Sequence, residues 1–325
     1  MHKMTRKNLS ALPAVLLLCL AAATASAADV KITPLGSHDG EFCPLDRALI
    51  FEDPDGTRIL YDPGRTVRGA ADPRLGRIDA VLLSHVHGDH LGDVHQAAAN
   101  AGACGKPDFS VKATPNGNAV NIVVAKKAKF VLGGEMPAFF AQKVKAAGGD
   151  PGQVVLVRFG AMTRVGGVGI ASVPAVHSNG LSPDFLDQAL GDALRANGLT
   201  AYVGPPGGYV LQFTNGLVAY LSGDTGITAE QDLVVRRYYQ ANLAVLNIGG
   251  TFTTGPAEAA YVITDLVKPR AVIASHANEV ATRDGKLIPG TKTDTFAKNV
   301  KVPVHIPLSG KTMAFDGKAQ CVSGC

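Results

Sequence analysis

The sequence has little net charge to work with. Its 325 residues carry 31 Lys+Arg against 27 Asp+Glu, and three of those bases, Lys3, Arg6 and Lys7, stand in the first 27 residues, which hold no acid. Residues 28–325 are left with 28 bases and 27 acids. That excludes a nucleic-acid binder held by phosphate neutralisation, which needs a concentrated basic face. Charged residues are scarce overall, at 18% against 46% apolar, a balance that excludes a disordered chain. No long uninterrupted apolar run follows residue 27, so no membrane-spanning helix is expected beyond it. Low-complexity linkers and charge runs are missing as well. Cysteines are few, five in all, and none forms a Cys-x-x-Cys pair, which weighs against a structural zinc knuckle.

The first 27 residues combine a basic start, the apolar run Leu12–Ala23 and the small-residue site Ala25-Ser26-Ala27. These features predict a cleaved secretory signal. The run is short of the roughly 20 residues that span a bilayer. Lipid attachment at Cys19 is the alternative, and bulky Leu18 before it argues against that. The expected product is a periplasmic or secreted protein of residues 28–325, a single domain with no stable membrane insertion after cleavage. In an oxidising compartment its four cysteines, Cys43, Cys104, Cys321 and Cys325, suggest two disulfides. Three pairings are open. Cys321 and Cys325 are close enough for a small loop, which would leave Cys43 with Cys104.

Short β-rich runs alternate with helical patterns along the mature chain. Strands are expected at Val30–Leu35, Ala48–Glu52, Arg58–Tyr61, Ala80–Leu83, Ala171–Val176, Tyr209–Phe213, Val218–Leu221, Leu243–Asn247 and Ala271–Ala274. Asn215-Gly216 reads as a hairpin turn. Helices are expected near Asp93–Ala101, Pro137–Ala147, Phe185–Ala196, Ala229–Tyr239 and Pro256–Leu266. The alternation indicates one α/β domain.

The chemistry is concentrated just after the wholly apolar run at residues 80–83, in Ser84-His85-Val86-His87-Gly88-Asp89-His90. Imidazoles and a carboxylate crowded at a strand end are costly to leave unpaired, and together they favour zinc or a similar divalent ion. Gly88 is expected to allow a sharp turn. His177, Asp224 and His276 each follow another apolar strand. Ligands at the ends of several strands can meet at one sheet edge, where α/β folds place their sites.

These residues resemble the metallo-β-lactamase superfamily. Its H-x-H-x-D-H hallmark stands here as His85 to His90, its downstream ligands match His177, Asp224 and His276, and its early aspartate matches Asp62. Val173-Pro174-Ala175-Val176-His177-Ser178, Ser222-Gly223-Asp224-Thr225-Gly226 and Asn247-Ile248-Gly249-Gly250 are similar to the branch containing L-ascorbate-6-phosphate lactonase-like hydrolases. The resemblance implies an αββα sandwich with two divalent metal ions between the sheets, zinc first, with manganese or iron compatible. It places His85, His87 and His177 on one ion, Asp89, His90 and His276 on the other, Asp224 between them, and Asp62 behind a ligand histidine. Asp89 would also handle a proton. Di-iron redox relatives tend to carry a carboxylate at the position of His87, so histidine there favours hydrolysis.

His38, Asn179, Tyr209 and Thr253 are candidate substrate contacts, with Asp39 and Asp46 in the same early loop as His38. His95 is expected on a helix and His305 on a late strand. The resulting expectation is an exported hydrolase directing a metal-activated hydroxide at a small ester, lactone or amide, β-lactams included. A phosphodiesterase of the same fold is the close rival, ranked second because only Arg47 marks the segments expected to border the pocket. A non-catalytic metal-binding module is the third reading. The expected partner is a small molecule and not nucleic acid; the sequence leaves the oligomeric state open.

Overall fold

The structure, a computed structural model, describes residues 1–2 and 28–325. Apart from Met1 and His2, the segment read as an export signal lies outside the described residues.

The chain forms two large sheets packed face to face. The first has eight strands in the order Val154–Leu156, Lys129–Leu132, Ala80–Leu82, Arg58–Tyr61, Leu49–Glu52, Val30–Pro34, Met313–Phe315, Cys321–Ser323. The second has seven, in the order Met162–Val165, Val168–Pro174, Gly207–Gln212, Val218–Leu221, Leu243–Asn247, Ala271–Ser275, Val304–His305.

Period-two alternation assigns the side chains to layers. Ile32, Phe51, Ile59 and Leu82 meet Ile170, Leu211, Leu221 and Ile273 between the sheets. Leu60, Val81 and Phe130 point the other way, onto Val120 and Val123 of the helix Asn118–Lys126 and Phe140 and Val144 of the helix Met136–Ala146. On the far side Tyr220, Leu246 and Val272 pack with Val235, Ile263, Val267 and Phe296. Three apolar layers separating helix, sheet, sheet and helix make an αββα sandwich. This explains why Ala80-Val81-Leu82-Leu83 contains no polar residue: both faces of that strand are covered, and all four residues are fully buried. No helix among the described residues is long and apolar enough to cross a membrane.

Several expected elements are corrected. The segment 93–101 is not a helix. A single turn, Gly88–Leu91, stops at Gly92 in the left-handed region (φ 80°), and Val94–His95 then pairs as a short strand with Val111–Lys112. Arg65 grips both oxygens of Asp93, at 2.7 and 2.8 Å, and so fixes the chain where the helix would have begun. His95 is therefore a strand residue. In the 185–196 segment the helix is only Gln188–Ala196, capped by the Asp187 carboxylate on the Leu190 N–H at 3.0 Å. The helices Asn118–Lys126 and Lys292–Asn299 and the strand Lys129–Leu132 were not anticipated.

Cys43 pairs with Cys104 and Cys321 with Cys325. The first bridge closes a span of 61 residues around the central motif. Replacing Cys43 and Cys104 together by serine should lower the unfolding free energy by about 4 kcal/mol on the loop-entropy argument. Denaturant unfolding of the double variant beside the parent measures it.

Candidate metal centre

Every residue of the motif set stands at the same edge of the sandwich. The strands Arg58–Tyr61 and Ala80–Leu82 run parallel and deliver Asp62 and His85 from one sheet. Val218–Leu221, Leu243–Asn247 and Ala271–Ser275 also run parallel to one another. Asp224 and His276 follow the first and last of these, and His177 follows Val168–Pro174. Two residues of the set, Asp62 at φ 41° and His276 at φ 50°, lie in the left-handed region, which L-residues seldom adopt.

Gly88 has a different reason from the one expected. It opens the helical turn Gly88–Leu91, and a Cβ there would stand 2.6 Å from the Asp93 carboxylate, so the need is for space. Gly64 meets both demands, with φ 52° and a would-be Cβ 2.3 Å from the Asp89 carbonyl.

The donor atoms converge in two groups. His87 Nδ1 lies 3.0 Å from His85 Nε2 and 3.3 Å from His177 Nε2. Donors ~2.1 Å from a tetrahedral zinc stand roughly 3.4 Å apart, so these three histidines fit a single ion. The second group is Asp89, His90 and His276, with Asp89 Oδ2 at 3.7 Å from His90 Nε2 and 3.6 Å from His276 Nε2. Asp224 lies between them. Its Oδ2 is 3.8 Å from His85, 3.7 Å from His177 and 2.9 Å from His276, and its Oδ1 is 3.2 Å from His90.

Electrostatics distinguish the two groups. Burial pushes the His85, His87 and His177 pKa values down, helped by neighbouring histidine charge, so their nitrogen lone pairs are free. Burial also opposes charge on His90, yet Asp224, Asp62 and Asp89 override it and push its pKa up to about 10. Asp89 and Asp224, despite burial, are held well below the usual carboxylate range by Arg47 and His90 and by His90 and His276 respectively. The second group is thus rich in negative charge and attracts a cation.

Asp62 supports both groups from behind. It accepts from the Ser84 N–H at 2.8 Å, the Ser84 hydroxyl at 2.7 Å and His90 Nδ1 at 2.8 Å. A carboxylate only accepts, so His90 donates from Nδ1 to Asp62 and turns Nε2 toward the centre, where a metal ion would take the place of the Nε2 proton. With its own proton given to Asp62, Ser84 Oγ accepts from His85 Nδ1 at 3.0 Å, which orients that ring in the same way. Ser84 was missed in the sequence, as was Tyr61, whose buried hydroxyl accepts from the Gly223 N–H at 2.9 Å beside Asp224. Asn247 braces the same loop, donating to the Thr225 carbonyl at 3.0 Å and to Thr254 Oγ1 at 2.7 Å.

The centre opens into a cleft of about 520 Å³ walled by Leu45, Phe252, Ser178, Asn278 and two arginines, Arg47 and Arg65. Phe252, Arg65 and Leu45 had given no sequence signal.

The substrate contacts expected from sequence are not in this wall. Tyr209 is 1% exposed, and its hydroxyl donates to the Leu83 and Val131 carbonyls. Asn179 is buried, accepting from the Val86 N–H at 2.8 Å and donating to the Gly204 carbonyl at 2.9 Å, so it braces the motif loop. His38 is held by Ser37 Oγ and the Gly102 carbonyl, both at 3.1 Å. Thr253 lies in a neighbouring groove with Val176 and Ile227. Asp46 is buried, which pushes its carboxyl up to about 6 even as it accepts from the Ser37 and Cys43 N–H groups.

Comparison with known proteins places this geometry. Residues 57–277 match the family described as the beta-lactamase superfamily domain. A metal-dependent hydrolase of the UPF0173 group from Cupriavidus necator is 31% identical over 229 residues, 69% of this chain and 68% of its own. Another of that group, from Cupriavidus taiwanensis, is 27% identical over 94% of this chain and 98% of its own. Among solved structures, the metallo hydrolase Igni18 of Ignicoccus hospitalis superposes with a TM-score of 0.57 at 25% identity, covering 89% of this chain and 99% of that one. The chain belongs to the metallo-β-lactamase superfamily and is a metal-dependent hydrolase of that fold.

Proposed function

We propose that the protein is an exported dinuclear hydrolase of small esters, lactones or amides, β-lactams included. The observation that carries this reading is the pair of donor groups sharing Asp224 at the floor of one cleft. His85, His87 and His177 would hold one ion, Asp89, His90 and His276 the other, and Asp224 both. The all-nitrogen and oxygen donor set suits zinc, with manganese or iron also compatible. When bound, such a pair supplies Lewis acidity and a hydroxide nucleophile at neutral pH.

The remaining work falls to the chain. Asp62 and Ser84 hold the ring orientations of His90 and His85. Ser178 Oγ, 3.4 Å from His87 Nε2, steadies the third ring. Asp89 is the most exposed carboxylate of the centre, at 24% of its side chain, and its contacts with Arg47, His90 and His276 all use Oδ2, which leaves Oδ1 as the atom to take up the nucleophile's proton and pass it to a leaving group. Leu45 and Phe252 offer an apolar wall, and the cleft volume suits a small molecule.

The acyl reading ranks above phosphodiester cleavage because the cleft carries no cluster of cations converging on the donor groups. Of its two arginines, Arg65 is forked onto Asp93. A phosphodiester is best met by several guanidinium or ammonium groups together. The similarity of the segments around His177, Asp224 and Asn247 to lactonase-like hydrolases supports lactones within the acyl class. Export is supported by the signal-like first 27 residues and by two disulfides, which persist in oxidising compartments such as a periplasm.

Assay of metal-replete protein on chromogenic lactams, lactones, carboxyl esters and phosphodiesters tests the proposal. Turnover of an acyl substrate is expected. Turnover of phosphodiesters alone would move the assignment to that class, and failure on every substrate would favour a non-catalytic metal-binding module.

A further inference from the structure

The second donor group already holds a cation belonging to the chain. Arg47 is 5% exposed, and its guanidinium reaches all three donors: Nη2 lies 2.6 Å from Asp89 Oδ2 and 2.6 Å from His276 Nε2, and Nε lies 3.2 Å from His90 Nε2. Nη2 also donates to Asn278 Oδ1 at 3.2 Å.

The arrangement satisfies the arginine incompletely. Its Nη1 and the Nδ1 of His276 are buried without a partner among the described residues. His276 Nε2 faces a donor, Arg47, and an acceptor, Asp224, at once, and so does His90 Nε2. A ring nitrogen serves one or the other, never both. This is a place built for a cation, at which the guanidinium meets its donors only in part.

We propose that Arg47 is a resident counter-cation that competes with the second metal ion for Asp89, His90 and His276. The inference rests on the reading of these residues as ligands. An imidazole nitrogen has one lone pair, so a guanidinium N–H that takes it leaves none for an ion. Loading is therefore stepwise. The first ion enters at His85, His87 and His177, where no lysine or arginine contact intrudes among the described residues, and the second enters only when Arg47 swings into the cleft it lines. Arg47 then acts as a positioning residue that keeps the charge-rich half of the centre neutralised while one ion is present.

Calorimetric titration of metal-depleted protein with zinc, with metal per chain counted by plasma emission, tests this. Wild type should take up one ion tightly and a second at least ~10-fold more weakly. Arg47→Ala, or Arg47→Met if space must be kept, should narrow that gap by roughly 10–100-fold, the range commanded by groups beside a metal ligand. Two equal sites in wild type, or an unchanged gap in both Arg47 variants, would overturn the inference while leaving the metal centre intact. Uptake of no ion by any of these proteins would overturn the metal centre itself, and the inference with it.

Discussion

Asp224→Ala is expected to lower kcat by about 10³-fold or more, the scale of removing one preorganised electrostatic partner of a reaction centre. Its two oxygens look into both donor groups, toward His85, His177, His276 and His90. Without it the groups lose their shared carboxylate, and His90 loses the strongest of the three charges that oppose burial and raise its pKa. The fold should survive. No backbone N–H among the described residues is bonded to the Asp224 side chain, and its histidine partners can release a proton when it is gone. Far-UV circular dichroism should therefore match the parent while turnover collapses. Loss of both together would assign Asp224 a structural role instead.

Asp62→Ala should behave in the opposite way, damaging stability and metal binding alike. Asp62 is fully buried and accepts from a backbone N–H, a hydroxyl and an imidazole. Deleting it leaves Ser84 N–H without its acceptor and His90 without its buried partner, a loss on the order of 3–5 kcal/mol. The released His90 and His85 rings would also lower metal affinity by roughly 10–100-fold. Asp62→Asn separates the contributions. Its carbonyl, placed at the Oδ2 position, can still accept from His90 and the Ser84 hydroxyl, but its amide would set a donor against the Ser84 N–H, so ring orientation should recover further than stability. Unfolding curves and zinc titrations of both variants measure the two effects, and an unaltered zinc affinity in Asp62→Ala would contradict the orienting role.

The contrast between these aspartates shows what could be read along the chain. His85, His87, Asp89, His90, His177, Asp224 and His276 were legible because each is a rare, costly side chain placed just after an apolar strand. A covered sheet in one α/β domain was legible because strands buried on both faces must be wholly apolar, as residues 80–83 are, while the αββα arrangement was implied by the family resemblance. What could not be read was convergence between distant segments. Arg47 meets His276 across 229 positions, and nothing around either residue announces the other. Tyr209 looked like a polar residue near the site, yet strand alternation turns it into the layer between the sheets, where its hydroxyl is consumed by backbone carbonyls. A helix was expected near Asp93–Ala101, and the grip of Arg65 on Asp93 fixes the chain otherwise at its start.

The central claim is that hydrolysis depends on metal held by these residues. The most direct measurement is turnover of one purified preparation before chelation, after chelation to no detectable bound metal, and after zinc is returned. Activity should vanish with the metal and reappear as zinc refills both donor groups, with His87→Ala failing to recover. Full turnover in the chelated, metal-free sample would contradict the account.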